Sequence, residues 1–203
     1  MHHTGGPGWR ITMDTSGPML IALYLRDVAG LAGAGTPALS AAAPPVRAAD
    51  PHQLIAHVGG MDALREQWEQ WWKLLQEHHP EMLPELAPPQ FSAFGEASAL
   101  QRVLQAHFGA ALTWARERQA EYRQLASQRE TLGATDILGE LVQDREMELG
   151  RNARDFTLTI LELPLAEPRA WFMEPSRLIM SQHLLDDPEN FRSYVQPVVE
   201  LLV

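Results

Sequence analysis

Cysteine is absent from the 203 residues of this sequence. Its absence excludes disulfide bonds, thiolate catalysis and metal sites with cysteine ligands. Residues 41–43 are three alanines, which resemble a signal-peptide cleavage site, but Arg10 is the one strong positive charge before the apolar run at Met19. A signal peptide would begin with a more positive region. We therefore expect a cytoplasmic protein.

Lysine is nearly absent, since Lys73 is the only one among 16 basic residues, and the net charge is −10. This arginine bias is typical of a bacterial protein from a GC-rich genome. An acidic chain without a basic stripe argues against binding nucleic acids or anionic membranes. The apolar run Met19–Leu25 is far shorter than the roughly 20 residues of a membrane-spanning helix. We predict neither a nucleic-acid nor a membrane partner.

The motifs of common enzymes are missing as well. The sequence has no GxxxxGK[ST] loop, no GxGxxG that opens a helix, no GxSxG elbow and no HExxH pair. The sequence thus indicates no particular reaction and does not decide whether the protein is an enzyme. It also gives no reason to expect a cofactor.

Helical periodicity is the strongest pattern that is present. It predicts long helices over 61–79 and 96–132, which we expect to pack as an antiparallel pair. Asp136 and Gly150 have the residue types of caps for a helix over 137–149. Asp187 followed by Pro188 predicts the start of a C-terminal helix, which Pro197 should kink or split.

Alternating residues in the last fifty positions predict strands. The segment 156–163 is one strand, 170–181 is a hairpin, and 9–13 is a further candidate. The predicted fold is therefore α+β and mainly helical, with a helix pair and a small antiparallel sheet covered by the C-terminal helix.

Proline and alanine dominate residues 34–51, which predicts a linker or a strap. This segment divides the predicted organisation into an N-terminal strand–helix arm (1–33), the strap (34–51) and a main α+β body (52–203). The arm would dock on the body or swap onto a second copy.

Three of the six tryptophans lie on one predicted helix, at Trp68, Trp71 and Trp72. They are candidates for an interface, because tryptophan is enriched in binding hot spots. A core position is the competing interpretation, since large aromatics are often mostly buried. The interface interpretation suggests a protein-interaction or scaffold module that forms a homodimer or binds another protein.

The alternative function is a small-molecule-binding protein or enzyme with a pocket between the helices and the sheet. Its candidate lining residues are His107, Tyr122 and Trp171, together with Trp72. Such a pocket could also depend on a metal ion, because histidines and glutamates from neighbouring helices can converge inside bundles. The candidate metal ligands are Glu77, His78, His79 and His107.

Overall fold

A computed structural model of the chain describes residues 2–6, 8–77, 83–131, 136–173 and 175–203. The chain is α+β, as predicted, with six α-helices and five β-strands among these residues. The elements are, in order, β1 (His2–Gly6), β2 (Trp9–Asp14), α1 (Gly17–Val28), α2 (His52–Ile55), α3 (Gly60–Glu77), α4 (Ser98–Thr131), α5 (Ile137–Leu149), β3 (Phe156–Leu163), β4 (Ala170–Met173), β5 (Arg177–Ser181) and α6 (Pro188–Leu202). No helix in the described part of the chain combines the length and apolar character needed to cross a bilayer.

The described chain divides into two compact units, and the first unit is discontinuous in sequence. It comprises residues 1–16 and 120–203, whereas the second comprises 17–119. Helix α4 supplies residues to both units.

The sheet of the first unit is mixed, with the strand order β1-β2-β3-β5-β4. The prediction of an antiparallel sheet was therefore wrong in part. The hairpin of β4 and β5 is antiparallel, as predicted, but β3 runs parallel to both β2 and β5. The reason is the strand order: β4 lies beyond β5, so the chain returns in β5 alongside β3 and in the same direction.

One face of this sheet packs against α5 and α6. Apolar residues of β2, β3 and β5 share a buried cluster with residues of both helices. The strand members include Ile11, Met13, Leu158, Ile160, Leu178 and Met180, and the α6 members include Phe191, Val195, Val198 and Val199. The C-terminal helix therefore contributes to the cover of the sheet.

The capping residues act as the sequence predicts. The Asp136 side chain accepts a hydrogen bond from the Gly139 N–H at 3.0 Å, and Gly150 ends α5 with a φ of 63°. At α6, the Asp187 side chain accepts from the Asn190 N–H at 3.1 Å. Pro197 lies inside α6 and does not split it.

The second unit is built around α1 and α3. The Trp68 indole N–H donates to the Ala22 carbonyl of α1 at 2.9 Å. The predicted pairing of α3 with α4 is seen at the beginning of α4, where the Gln67 side chain accepts from the N–H groups of Ala99 and Leu100. That side chain satisfies two of the donors that a helix N-terminus leaves open.

Residues 34–51 contain no α-helix or extended strand and are held by Arg26. This side chain is 1% exposed and donates to the carbonyls of Leu39 (3.1 Å) and Ser40 (2.7 Å). It also forms an ion pair with Asp27, which accepts from the Ala42 N–H at 2.7 Å. Residues 39–42 of this segment are thus fixed to α1.

Candidate functional site

Strand β4 is the outermost strand on its side of the sheet. Its inner edge pairs with β5, and no other strand in the described ranges pairs with its outer edge. The sequence of β4 is Ala-Trp-Phe-Met, without a charge or a proline, and all four residues are half-buried. Natural proteins usually protect such edges with charges, prolines or bulges. An uncharged aromatic edge is therefore a candidate binding surface.

The register identifies the backbone groups on this outer edge. The Ser181 N–H donates to the Arg169 carbonyl at 2.9 Å, which makes these two residues a hydrogen-bonded pair. In antiparallel strands hydrogen-bonded and non-hydrogen-bonded pairs alternate. Trp171 therefore directs its N–H and C=O towards β5, whereas Ala170 and Phe172 direct theirs outwards.

Proline limits the length of this outer edge. The preceding outward position is Pro168, which has no N–H to donate. The edge thus begins at Ala170, and a partner strand would find a short pairing surface.

The side chains of β4 divide between the two faces of the sheet. Ala170 and Phe172 pack against the buried cluster under α5 and α6. Trp171 lies on the opposite face, where its register partner on β5 is Ile179. An approaching strand would therefore meet the half-buried indole of Trp171 on that face.

The three tryptophans predicted as interface candidates lie in the interior of the second unit. Trp68, Trp71 and Trp72 are 1%, 3% and 1% exposed. Trp68 and Trp72 stack with ring centroids 5.3 Å apart, and Trp71 meets Phe94 edge-on at 5.4 Å. Their burial is that of core residues.

The candidate pocket residues lie in separate places. His107 is a half-buried residue of α4 in the second unit. Tyr122 and Trp171 belong to the first unit, where Tyr122 donates to the Met13 carbonyl at 3.0 Å and Trp171 lies on β4. Trp72 belongs to the core of the second unit.

Two of the candidate metal ligands, His78 and His79, lie outside the described residues. Glu77 is exposed at the end of α3, where it lies 3.7 Å from the Lys73 ammonium group. Among the described residues, no group of three or more histidine, aspartate or glutamate side chains is placed to hold a metal ion.

A second notable cluster lies at the carboxyl ends of the parallel strands β2 and β3. Glu162 is the penultimate residue of β3 and is only 2% exposed. Its carboxylate lies 3.3 Å from an Arg129 nitrogen of α4. Asp14, the last residue of β2, contributes a second negative charge to the cluster.

Burial raises the pKa of the Glu162 carboxyl group to about 7, from an ordinary value of 4.5. The positive charge of Arg129 opposes this increase, and the negative charge of Asp14 adds to it. Burial also raises the pKa of the Tyr122 hydroxyl, with contributions from Glu162 and Asp14. Tyr122 therefore remains a neutral donor, whereas Glu162 exchanges its proton near neutral pH.

Neither the β4 edge nor the Glu162 cluster was predicted from the sequence. A signal for Glu162 was present, because strand alternation places it on the same face as the buried Leu158 and Ile160. Its partner Arg129 lies 33 residues away and shows no such pattern. The open edge depends on strand order, which alternation does not reveal.

Comparisons with protein-family models, with curated proteins and with solved structures find no match to this chain.

Proposed function

We propose that this chain is a protein-interaction module that forms a homodimer by pairing the β4 strands of two copies. The observation that supports the proposal is the uncharged outer edge of β4, where Ala170 and Phe172 direct backbone groups outwards. Strand addition to an open sheet edge is a common mode of recognition, in which the main chain supplies the hydrogen bonds.

The edge is complementary to itself. In an antiparallel pair centred on Trp171, Ala170 of each copy lies opposite Phe172 of the other. Each of these pairs exchanges two N–H···O=C bonds, so four bonds satisfy the outward N–H and C=O groups of both residues in both copies. The two Trp171 side chains would then face each other as a close cross-strand pair, an arrangement that favours aromatic residues.

The contact is short, so we expect a reversible dimer. Interfaces that bury less than about 1,200 Å² are generally weak or transient. No charged residue lies within β4, so pairing would not place like charges opposite each other along this strand. The monomer should therefore predominate on dilution.

The test is the molar mass of the full chain over a concentration series, measured by sedimentation equilibrium. Ala170→Pro removes one outward N–H of each copy and leaves the hydrogen bonds to β5, because proline is tolerated on edge strands. We expect Ala170→Pro to weaken the dimer at least tenfold, since two unpaired Phe172 carbonyls and a steric conflict replace two hydrogen bonds. Ala170→Val is the matched control, because it retains the N–H and should still dimerise.

A charge exchange at Trp171 provides a second arm of this test. Trp171→Arg and Trp171→Glu should each be monomeric, because like charges would lie directly opposite each other. An equimolar mixture of the two variants should form a heterodimer. A wild-type monomer at every concentration would overturn the proposal, and so would a dimer that Ala170→Pro leaves intact.

The alternative of a ligand-binding protein or enzyme stays a prediction. The observation in its favour is the Glu162 cluster, since buried carboxyl groups with raised pKa values occur at functional sites. The predicted pocket residue Tyr122 interacts electrostatically with this cluster, because the charge of Glu162 helps to raise its pKa.

Source and location are also proposals. We propose a bacterial, cytoplasmic protein that does not bind nucleic acids, from the arginine bias, the absence of cysteine and the net charge of −10.

A further inference from the structure

Arg129 connects three parts of the first unit. It extends from α4 and contacts the Glu162 carboxylate of β3 at 3.3 Å. It also donates to the Gln182 carbonyl at 3.0 Å and lies 3.6 Å from the Asp186 carboxylate. Gln182 and Asp186 are the two ends of a 3-10 helix that follows β5. A single guanidinium group thus links α4, β3 and this 3-10 helix.

The partners of Arg129 differ greatly in their access to water. The Glu162 side chain is 3% exposed, whereas the Asp186 side chain is 60% exposed. An ionised Asp186 is solvated in the folded state, but an ionised Glu162 loses most of its hydration. We call the meeting point of α4, β3 and the 3-10 helix the junction, and it is closed when these Arg129 contacts are formed. The protonation state of Glu162 therefore determines how favourable the closed junction is.

We propose that Glu162 and Arg129 form a proton-controlled latch that joins the end of α4 to β3 and the 3-10 helix. With a proton on Glu162, the buried side chain is neutral and the junction is closed. When Glu162 releases its proton to solvent, a buried carboxylate remains whose hydration is regained by opening of the junction. This regulation is independent of pairing through β4.

The other charged groups around Glu162 set the sign of the effect. The charges of Arg129 and of the N-terminal amino group favour the ionised form, whereas Asp14 disfavours it. Tyr122 is neutral, and His183 is paired with Asp186 at 3.1 Å on the exposed side of the junction. Burial outweighs the attraction of Arg129, so the net preference is for the protonated carboxyl group.

The pH window follows from the pKa of Glu162, which burial raises to about 7 from 4.5. The closed state binds more protons than the open state between these values, so opening becomes more favourable as pH rises through this range. Between pH 6 and pH 8 the equilibrium constant for opening should increase about tenfold.

The test is amide hydrogen exchange of the full chain at pH 6, 7 and 8, with each rate divided by its intrinsic chemical rate. We expect residues 120–131 and 182–186 to lose about tenfold in protection from pH 6 to pH 8 in the wild type. Glu162→Gln is neutral at every pH and should abolish this dependence. The matched control is Glu140→Gln, which removes an exposed partner of Arg192 and should retain it.

Two results would overturn the latch. One is protection in the wild type that does not change with pH, and the other is an equal change in Glu162→Gln. A carbon-13 NMR titration of the wild-type carboxyl groups provides a readout that needs no variant. A midpoint near 7 for Glu162 is expected, and a midpoint near 4.5 would exclude the mechanism.

Discussion

At the scale of single residues, Gly35 occupies a position that requires glycine for two separate reasons. Its φ is +90°, in the left-handed region that L side chains rarely adopt. A Cβ atom placed there would lie 3.0 Å from Trp72 Cδ1 and 3.1 Å from Trp68 Cζ3. Glycine therefore serves both the backbone conformation and the approach of the strap to the stacked tryptophans.

We predict that Gly35→Ala destabilises the chain more than Gly33→Ala does. Gly33 has a φ of +74°, but a Cβ atom added there would meet no atom within 4 Å, so its substitution carries the conformational cost alone, about 1 kcal/mol. Gly35→Ala should cost a further ~1–3 kcal/mol because the added methyl group overpacks the core. Urea unfolding followed by tryptophan fluorescence measures both, and equal costs would contradict the packing argument.

Glu162 lies in a buried position that is unusual for an ionisable side chain. It lies on the apolar face of β3 and yet carries a carboxyl group, paired with Arg129 across 33 residues of sequence. Alternation alone assigns it to the buried face, but strand patterns contain no information about a distant arginine. The position of Glu162 was thus predictable from sequence, and its chemistry was not.

At the scale of elements, helix-capping residues explain why several helix ends were predicted correctly. Asp136, Gly150 and Asp187 determine helix ends through local hydrogen bonds, which depend on neighbouring residues in the sequence. Strand β1 (His2–Gly6) was not predicted, because its histidines and glycines have little strand preference. It exists through antiparallel pairing with β2.

The strap (34–51) is an element without regular structure, and its order depends on α1. We predict that Arg26→Met destabilises the chain by about 3 kcal/mol, because Asp27 loses its charged partner in a poorly hydrated site. The strap should also become sensitive to proteases, since the carbonyls of Leu39 and Ser40 lose their donor. Urea unfolding and limited proteolysis measure the two effects.

Arg47→Met is the control for the strap, because Arg47 is exposed within the same segment. It should leave both the stability and the proteolysis pattern unchanged. Cleavage within 34–51 at the same rate in wild type and Arg26→Met would show that Arg26 does not hold the strap.

At the scale of the whole molecule, sequence order and structural unit do not coincide. Strand β2 and helix α1 are separated by two residues, yet β2 belongs to the first unit and α1 to the second. Strand β2 instead pairs with β3, more than 140 residues later along the chain. Local patterns identify the elements but contain no information about such pairing, which is why the mixed sheet could not be predicted.

We predict that the two units open separately in native-state hydrogen exchange. Amides of β2 should share their opening free energy with those of β3, because the two strands pair along six residues in one unit. Amides of α1 should follow those of α3 instead. Exchange measured over a series of low urea concentrations tests this grouping, and β2 amides that open together with α1 would contradict it.

Pro168 limits how far the sheet can grow by the addition of further strands. An open edge without charges can recruit strand after strand, and this is how sheets grow into fibrils. Here Pro168, which has no N–H to donate, occupies the outward position before Ala170, so an added strand finds few backbone hydrogen bonds beyond that residue. In an antiparallel pair, moreover, each copy covers the edge of the other. The assembly we propose would then end at two chains, and its outer strands would offer no template to a third through β4.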